Sequence, residues 1–141
     1  MQIARIIHVL GNILWLGGGA VAAFAMANFA LGSKESRVGA AQVVRKLVLS
    51  VVTPGMLLSF AGGLYMLLSY WSEIYAKAPW MHMKLTVGLV AAGFSGVLSG
   101  KLRRAADGAE ITGSSMRTAG WVLLLSAVAG VVLVFTRFGG R

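Results

Sequence analysis

The sequence predicts an all-α integral membrane protein: a four-helix bundle, up-down-up-down, with both termini on the outer side. Three observations predict it. The chain is 57% hydrophobic and only 12% charged, about half the charge of a soluble domain. Its mean hydropathy is +0.79, and it has room for four apolar runs of about 18 residues or more, the length that crosses a bilayer. A segment inside lipid must satisfy its own backbone hydrogen bonds, so each run reads as a helix.

The first helix is expected from about Ile3 to Leu31, ending at the polar turn Gly32-Ser33-Lys34-Glu35-Ser36-Arg37. The second runs from about Val44 to Trp71, and Pro54 near its middle predicts a kink. Pro79 is a good first-turn residue for the third, which ends near Lys101. A hydrophilic stretch from Arg103 to Glu110 precedes the fourth, from about Thr118 to Phe138. No connection is long enough to fold separately and no repeat period is visible, so residues 1–141 form one membrane domain.

Positive charge sets the orientation. The first and third connections hold Lys34, Arg37, Arg45, Lys46, Lys101, Arg103, Arg104 and Arg117, against Arg5, Lys77, Lys84, Arg137 and Arg141 on the other side. Eight against five places the two loops in the cytoplasm. Tyr70, Trp71, Tyr75 and Trp80 then form an interfacial aromatic belt on the outer side. The net charge of +9 is thereby explained without nucleic acid, which is excluded as a partner. Arg5, the following apolar stretch and Ala25-Met26-Ala27 imitate a cleaved signal peptide. The stretch is longer than a usual signal core and carries His8, Asn12 and Trp15, so it reads as a retained span.

The absence of cysteine excludes disulfides, thiolate metal sites, iron–sulfur clusters and covalent haem attachment. No carboxylate lies within a span, which removes a buried acid or base of that type. No nucleophile triad, phosphate loop or dinucleotide fingerprint occurs.

The two histidines, His8 and His82, lie in the first turns of spans one and three. Ionisable groups inside a span are functional candidates because their burial is costly. Alternate spans of such a bundle run parallel, so both imidazoles are expected at matched depth. By helical geometry Gly11, Asn12, Trp15, Gly19, Ala22 and Met26 share the His8 face, and Leu85, Thr86, Leu89, Gly93, Gly96 and Gly100 share the His82 face. Stripes poor in bulk leave room for a large flat ligand, although Gly96 and Gly100 also suit helix packing and permit a homo-oligomer. A planar haem b fits, ligated by His8 and His82 across the diagonal of the bundle. Arg5, Asn12, Trp15, Gly19, Lys84 and Gly93 are the expected cofactor-binding residues, with Arg5, Lys84 and Arg137 able to pair with propionates. Lys84 lies about 200° around the helix from His82; it either snorkels to the headgroups or meets a carboxylate from the side. Met81-His82-Met83 looks like a soft copper site, but consecutive helical side chains diverge.

His8-Val9-Leu10-Gly11-Asn12-Ile13-Leu14-Trp15 resembles the first-helix motif of the HemJ-type protoporphyrinogen oxidases, with tryptophan seven positions after histidine. Thr53-Pro54 followed by Gly63 is similar to the second-helix pattern, and Trp80-Met81-His82-Met83-Lys84-Leu85 resembles the third. The likeness covers helices one to three and extends to the related copper-resistance D (CopD) proteins. It implies a small multi-pass protein of the bacterial cell (inner) membrane that binds b-type haem. It implies oxidation of protoporphyrinogen IX, with electrons passed to a quinone or another respiratory-chain partner. Carried over by position, His8 would be a haem ligand, and His82 and Lys84 the third-helix pair for haem or substrate. The chain departs from the pattern at Phe24-Ala25-Met26-Ala27-Asn28-Phe29, which lacks the family's proline and arginine, and near Thr112 to Arg117, where an Asn-Glu-x-Pro element is missing.

The expected function is therefore a membrane redox protein of the cytochrome b kind, concerned with electron transport or porphyrinogen oxidation. Two alternatives stand beside it: a copper-handling protein of the CopD type, and a structural subunit of a respiratory membrane complex.

Overall fold

The computed structural model describes residues 2–136, and all the regular structure among them is helical. Four helices are long and apolar enough to cross a membrane: α1 (Gln2–Phe29), α2 (Lys34–Tyr70), α3 (Pro79–Ala106) and α4 (Gly113–Thr136). A single 3₁₀ turn, Tyr75–Lys77, sits between α2 and α3. The expected end of the last span at Phe138, together with Arg137 and Arg141, lies outside the described residues.

Two helices are longer than their apolar runs. α2 begins at Lys34 rather than near Val44, and α3 continues past Lys101 to Ala106. The added turns are amphipathic. Ala41 and Val44 are buried with Leu102 and Ala105, while Lys34, Lys46, Arg103 and Arg104 are exposed and Lys101 donates to Ser115 Oγ of α4 at 2.6 Å. At 1.5 Å per residue, α2 is about 55 Å long, well beyond an apolar slab of about 30 Å. Its basic first turns therefore exceed the length that an apolar slab accommodates.

The helix ends follow from local chemistry. The Ser33 side chain accepts the Ser36 amide at 3.2 Å and caps α2. At the end of α3, the Gly108 amide donates to the Ala105 carbonyl (3.1 Å) and the Ala109 amide to the Arg104 carbonyl (2.9 Å). This closure puts Gly108 at φ +94°, where a side chain would be strained.

The proline of α2 produces a wide turn. A π-helical segment, Val48–Val52, comes just before Pro54, which has no amide to continue the ladder. A second π segment, Ile13–Gly17, interrupts α1. Each widened turn holds more than 3.6 residues, so side chains on either side of it lie on different faces.

Packing differs between the two ends of the bundle. The C-terminal half of α1, from Gly18 on, lies against α4; the N-terminal part of α2 lies against α3, and α3 against α4. These contacts enclose the core, whose most deeply buried large side chains are Met26, Leu98, Leu102, Met116 and Leu123. At the other end, the first turns of α1 pack closely on α2 from Thr53 to Tyr70. Among the described residues, that pair makes little backbone contact with α3 and α4. The bundle is closed at its basic end and splayed at the end that carries His8.

Candidate functional site

The splayed end is built on glycine. A Cβ at Gly62 would stand 2.7 Å from the Ala4 carbonyl oxygen and 2.9 Å from the His8 amide nitrogen. One at Gly11 would stand 2.7 Å from the Gly55 oxygen, and one at Gly63 2.9 Å from His8 Nδ1. These positions hold α1 and α2 backbone to backbone, with the imidazole of His8 resting on Gly63.

A closed polar ring sits in this contact. His8 Nδ1 donates to the Ser59 carbonyl oxygen at 2.7 Å. That oxygen can only accept, so the proton is on Nδ1 and the lone pair on Nε2. Asn12 Nδ2 donates to Nε2 at 3.1 Å, and the Ser59 hydroxyl donates to Asn12 Oδ1 at 2.8 Å. The tautomer thus fixes the orientation of the Asn12 amide as well. Ser59 is only 2% exposed, so these bonds satisfy polar atoms that no water reaches.

Below the ring, Trp15 crosses the bundle. Its Nε1 donates to Ser95 Oγ of α3 at 2.8 Å, and its ring tilts against Phe60 at 5.3 Å between centroids. The indole is buried and floors the gap between the α1/α2 pair and α3.

This bond sets the register of α3 against α1. Counting back from Ser95 at 100° and 1.5 Å per residue, Ala91, Gly88 and Lys84 lie on the face turned to α1. The half-buried Lys84 ammonium comes within electrostatic range of His8. Among the described residues it has no ion-pair partner. The four acidic residues, Glu35, Glu73, Asp107 and Glu110, all lie in connections or at helix ends. Nothing lies within 4 Å of where a Gly88 Cβ would be.

His82 is placed differently. By the same register it lies about 9 Å higher than His8 and faces away from α1. It is exposed, its Nε2 donates to the Ala76 carbonyl at 3.2 Å, and its ring meets Trp71 edge-on at 5.9 Å. It belongs to the aromatic cluster of the α2–α3 connection, where Tyr70, Tyr75 and Trp80 also stack edge to face. The two histidines are neither at matched depth nor turned toward each other.

Other expected site residues scatter for physical reasons. Gly19 is buried, and a Cβ there would meet Leu123 Cδ1 of α4 at 2.9 Å, so its face is filled by packing rather than open. Gly93 is exposed on the far side of α3, about 200° from Ser95. Gly96 is exposed too, and nothing lies within 4 Å of a Cβ at Gly93, Gly96 or Gly100. Arg5 is exposed near the mouth of the gap. Met83 is exposed whereas Met81 is buried with Trp80, so the Met-His-Met run diverges as expected. Among the described residues, no three His, Cys, Asp or Glu side chains come together as a metal-binding group.

Ser59 and Ser95, which complete the two polar links, are not evident from the sequence. Their nearest signal is the four-residue step from His8 to Asn12, which marks a polar helix face. No protein-family model matches the chain, and no significant match is found among curated proteins or solved structures.

Chemically, the gap combines an unpaired cation, an imidazole with a fixed tautomer and apolar walls. Glu35, Glu73, Asp107 and Glu110 all lie away from it.

Proposed function

We propose that the chain is a multi-pass haem b protein of the bacterial cell membrane, acting in electron transfer or porphyrinogen oxidation. In this reading the helices run up-down-up-down, with the basic loops in the cytoplasm and His8 toward the outer face. The asymmetry of lysine and arginine supports that orientation.

The observation that carries the proposal is the His8–Ser59 hydrogen bond, with Lys84 on the face of α3 that carries Ser95. A histidine that ligates a metal usually donates its other ring nitrogen to a carbonyl or carboxylate, which fixes the tautomer. His8 is in that state, and its Nε2 is covered only by a neutral amide of its own helix. Lys84 is suited to a propionate. His8 would hold the iron and Lys84 a carboxylate of the group, while His82, bonded to the Ala76 carbonyl beside Trp71, would take no part. When bound, the haem would supply one-electron cycling at iron. The chain's own part is to hold the imidazole through Ser59, to draw the carboxylate with Lys84, and to close the floor with Trp15.

The test is the absorption spectrum of the protein purified in mild detergent. A Soret band that disappears in His8→Ala and survives in His82→Ala is the expected result. Loss in neither variant, or a colourless wild-type protein reconstituted with haemin, would overturn the assignment. The closed His8–Asn12–Ser59 ring favours a second reading, in which these residues only clamp α1 to α2 in a structural subunit. A colourless protein that binds no haemin, but loses stability in His8→Ala, would support it.

A further inference from the structure

The basic end of the molecule carries a groove that the haem reading does not use. It lies between α2 and α3, has a volume of about 280 Å³, and is lined by Arg45 and Arg103 together with Val48, Leu49, Gly100 and Leu102. A Cβ at Gly100 would have nothing within 4 Å, so the missing side chain leaves real space.

Its position on both helices is the informative feature. On α2, Arg45 and Lys46 end the basic segment, and Leu47 and Val48 begin the apolar one. On α3, the apolar run ends at Gly100, and Lys101, Arg103 and Arg104 follow. The groove therefore straddles the level at which both membrane-crossing helices change from apolar to basic. Neither Arg45 nor Arg103 has an ion-pair partner among the described residues. Two unpaired guanidiniums above an apolar floor, at the edge of the hydrocarbon slab, match an amphiphile with an anionic head.

We propose that this groove seats an anionic phospholipid of the surrounding bilayer. Its phosphate lies between Arg45 and Arg103, and its chains run beside Val48 and Leu49. A soluble phosphate would not need the apolar lining, and a zwitterionic lipid brings its own ammonium, which the two guanidiniums repel.

Native mass spectrometry of the wild-type chain, released from nanodiscs of equal phosphatidylglycerol and phosphatidylcholine, tests this. The expected result is a preference of about thirtyfold for phosphatidylglycerol, two guanidiniums each contributing roughly fivefold. Arg45→Gln/Arg103→Gln should bring the ratio close to one, and Gly100→Leu, which fills the groove with its charges intact, should lower it as well. Arg104→Gln/Arg117→Gln removes the same charge elsewhere and should keep the preference. Equal retention of the two lipids by the wild type would overturn the proposal, whether or not any variant folds. So would equal losses in the two double variants, which would mean general surface charge. Displacement of the lipid by millimolar inorganic phosphate would also overturn it, by showing a soluble-anion site.

Discussion

Gly62→Ala tests whether the α1/α2 contact holds His8 in place. The added methyl would stand 2.7 Å from the Ala4 oxygen, 2.9 Å from the His8 nitrogen and 3.1 Å from its Cβ. Two of these are backbone atoms with no rotamer to yield, so the helices themselves must separate. Reaching an ordinary contact of about 3.4 Å requires about 0.7 Å of movement. The same shift stretches the His8–Ser59 bond from 2.7 Å to about 3.4 Å, beyond useful hydrogen-bond length. Overpacking costs about 1–3 kcal/mol and the lost bond about 0.5–1.5 kcal/mol, offset by about 0.5–1 kcal/mol from the better helix propensity of alanine. The net is a loss of about 0.5–4 kcal/mol. Gly96→Ala is the matched control, since nothing lies near its Cβ; it gains the propensity term alone. The two variants should differ by roughly 6–15 °C in Tm when the detergent-solubilised protein is melted. Equal Tm values for Gly62→Ala and wild type would refute the close contact. Equal damage from both substitutions would show that the exposed stripe of α3 is itself covered, by another copy of the chain.

Three further outcomes are expected. Lys84→Met should lower haemin occupancy, read by the pyridine haemochromogen assay, while raising the Tm of the ligand-free protein, because it removes a half-buried charge without a partner; unchanged occupancy would mean that Lys84 only snorkels. Trp15→Phe keeps the ring but deletes the bond to Ser95, and should cost about 1 kcal/mol in thermal unfolding, whereas a neutral result would detach α3 from the register argued above. Arg37→Met should be neutral or stabilising by about 1 kcal/mol, because Arg37 is only 9% exposed and its Nε has no hydrogen-bond partner among the described residues; a loss above that size would reveal a partner for the guanidinium.

The helices were legible because lipid leaves the backbone few choices, and hydropathy alone marks where each must lie. The ends of α2 and α3 were less legible, since Lys34–Lys46 and Lys101–Arg104 read as loop charge in a hydropathy window. Burial of Ala41, Val44, Leu102 and Ala105, with the Ser33 cap and the Gly108 closure, makes those turns helical. Of the residues expected on the His8 face, Asn12 is hydrogen-bonded to His8, Trp15 reaches Ser95 of α3, and Gly19 packs on Leu123 of α4. A wheel of 100° per residue carries Gly19 onto that face, but the π segment at Ile13–Gly17 turns the rest of α1 toward α4. A π turn has no reliable sequence mark, so this error could not be removed by finer arithmetic.

The choice between Lys84 and His82 is different in kind, because it turns on one long-range bond, from Trp15 to Ser95, that the sequence does not mark. Trp15 is a long donor near mid-membrane and needs an acceptor, and a buried indole N–H rarely goes unpaired. In α3 the hydroxyls within the span are Thr86, Ser95 and Ser99, and the structure pairs the indole with Ser95. Once those two are joined, helical arithmetic brings Lys84 onto the inner face and turns His82 outward. Matched position from the start of each span suggested the opposite, since it assumes that both helices enter the membrane at the same level. A polar link at mid-depth is the better ruler: it fixes the register directly, whereas span ends can slide by a turn or more. The tight α1/α2 pair has a further consequence. Its glycines and the His8–Asn12–Ser59 ring hold two helices together with little contact from α3 or α4, so the splayed end is secured by this pair while the basic end supplies the core.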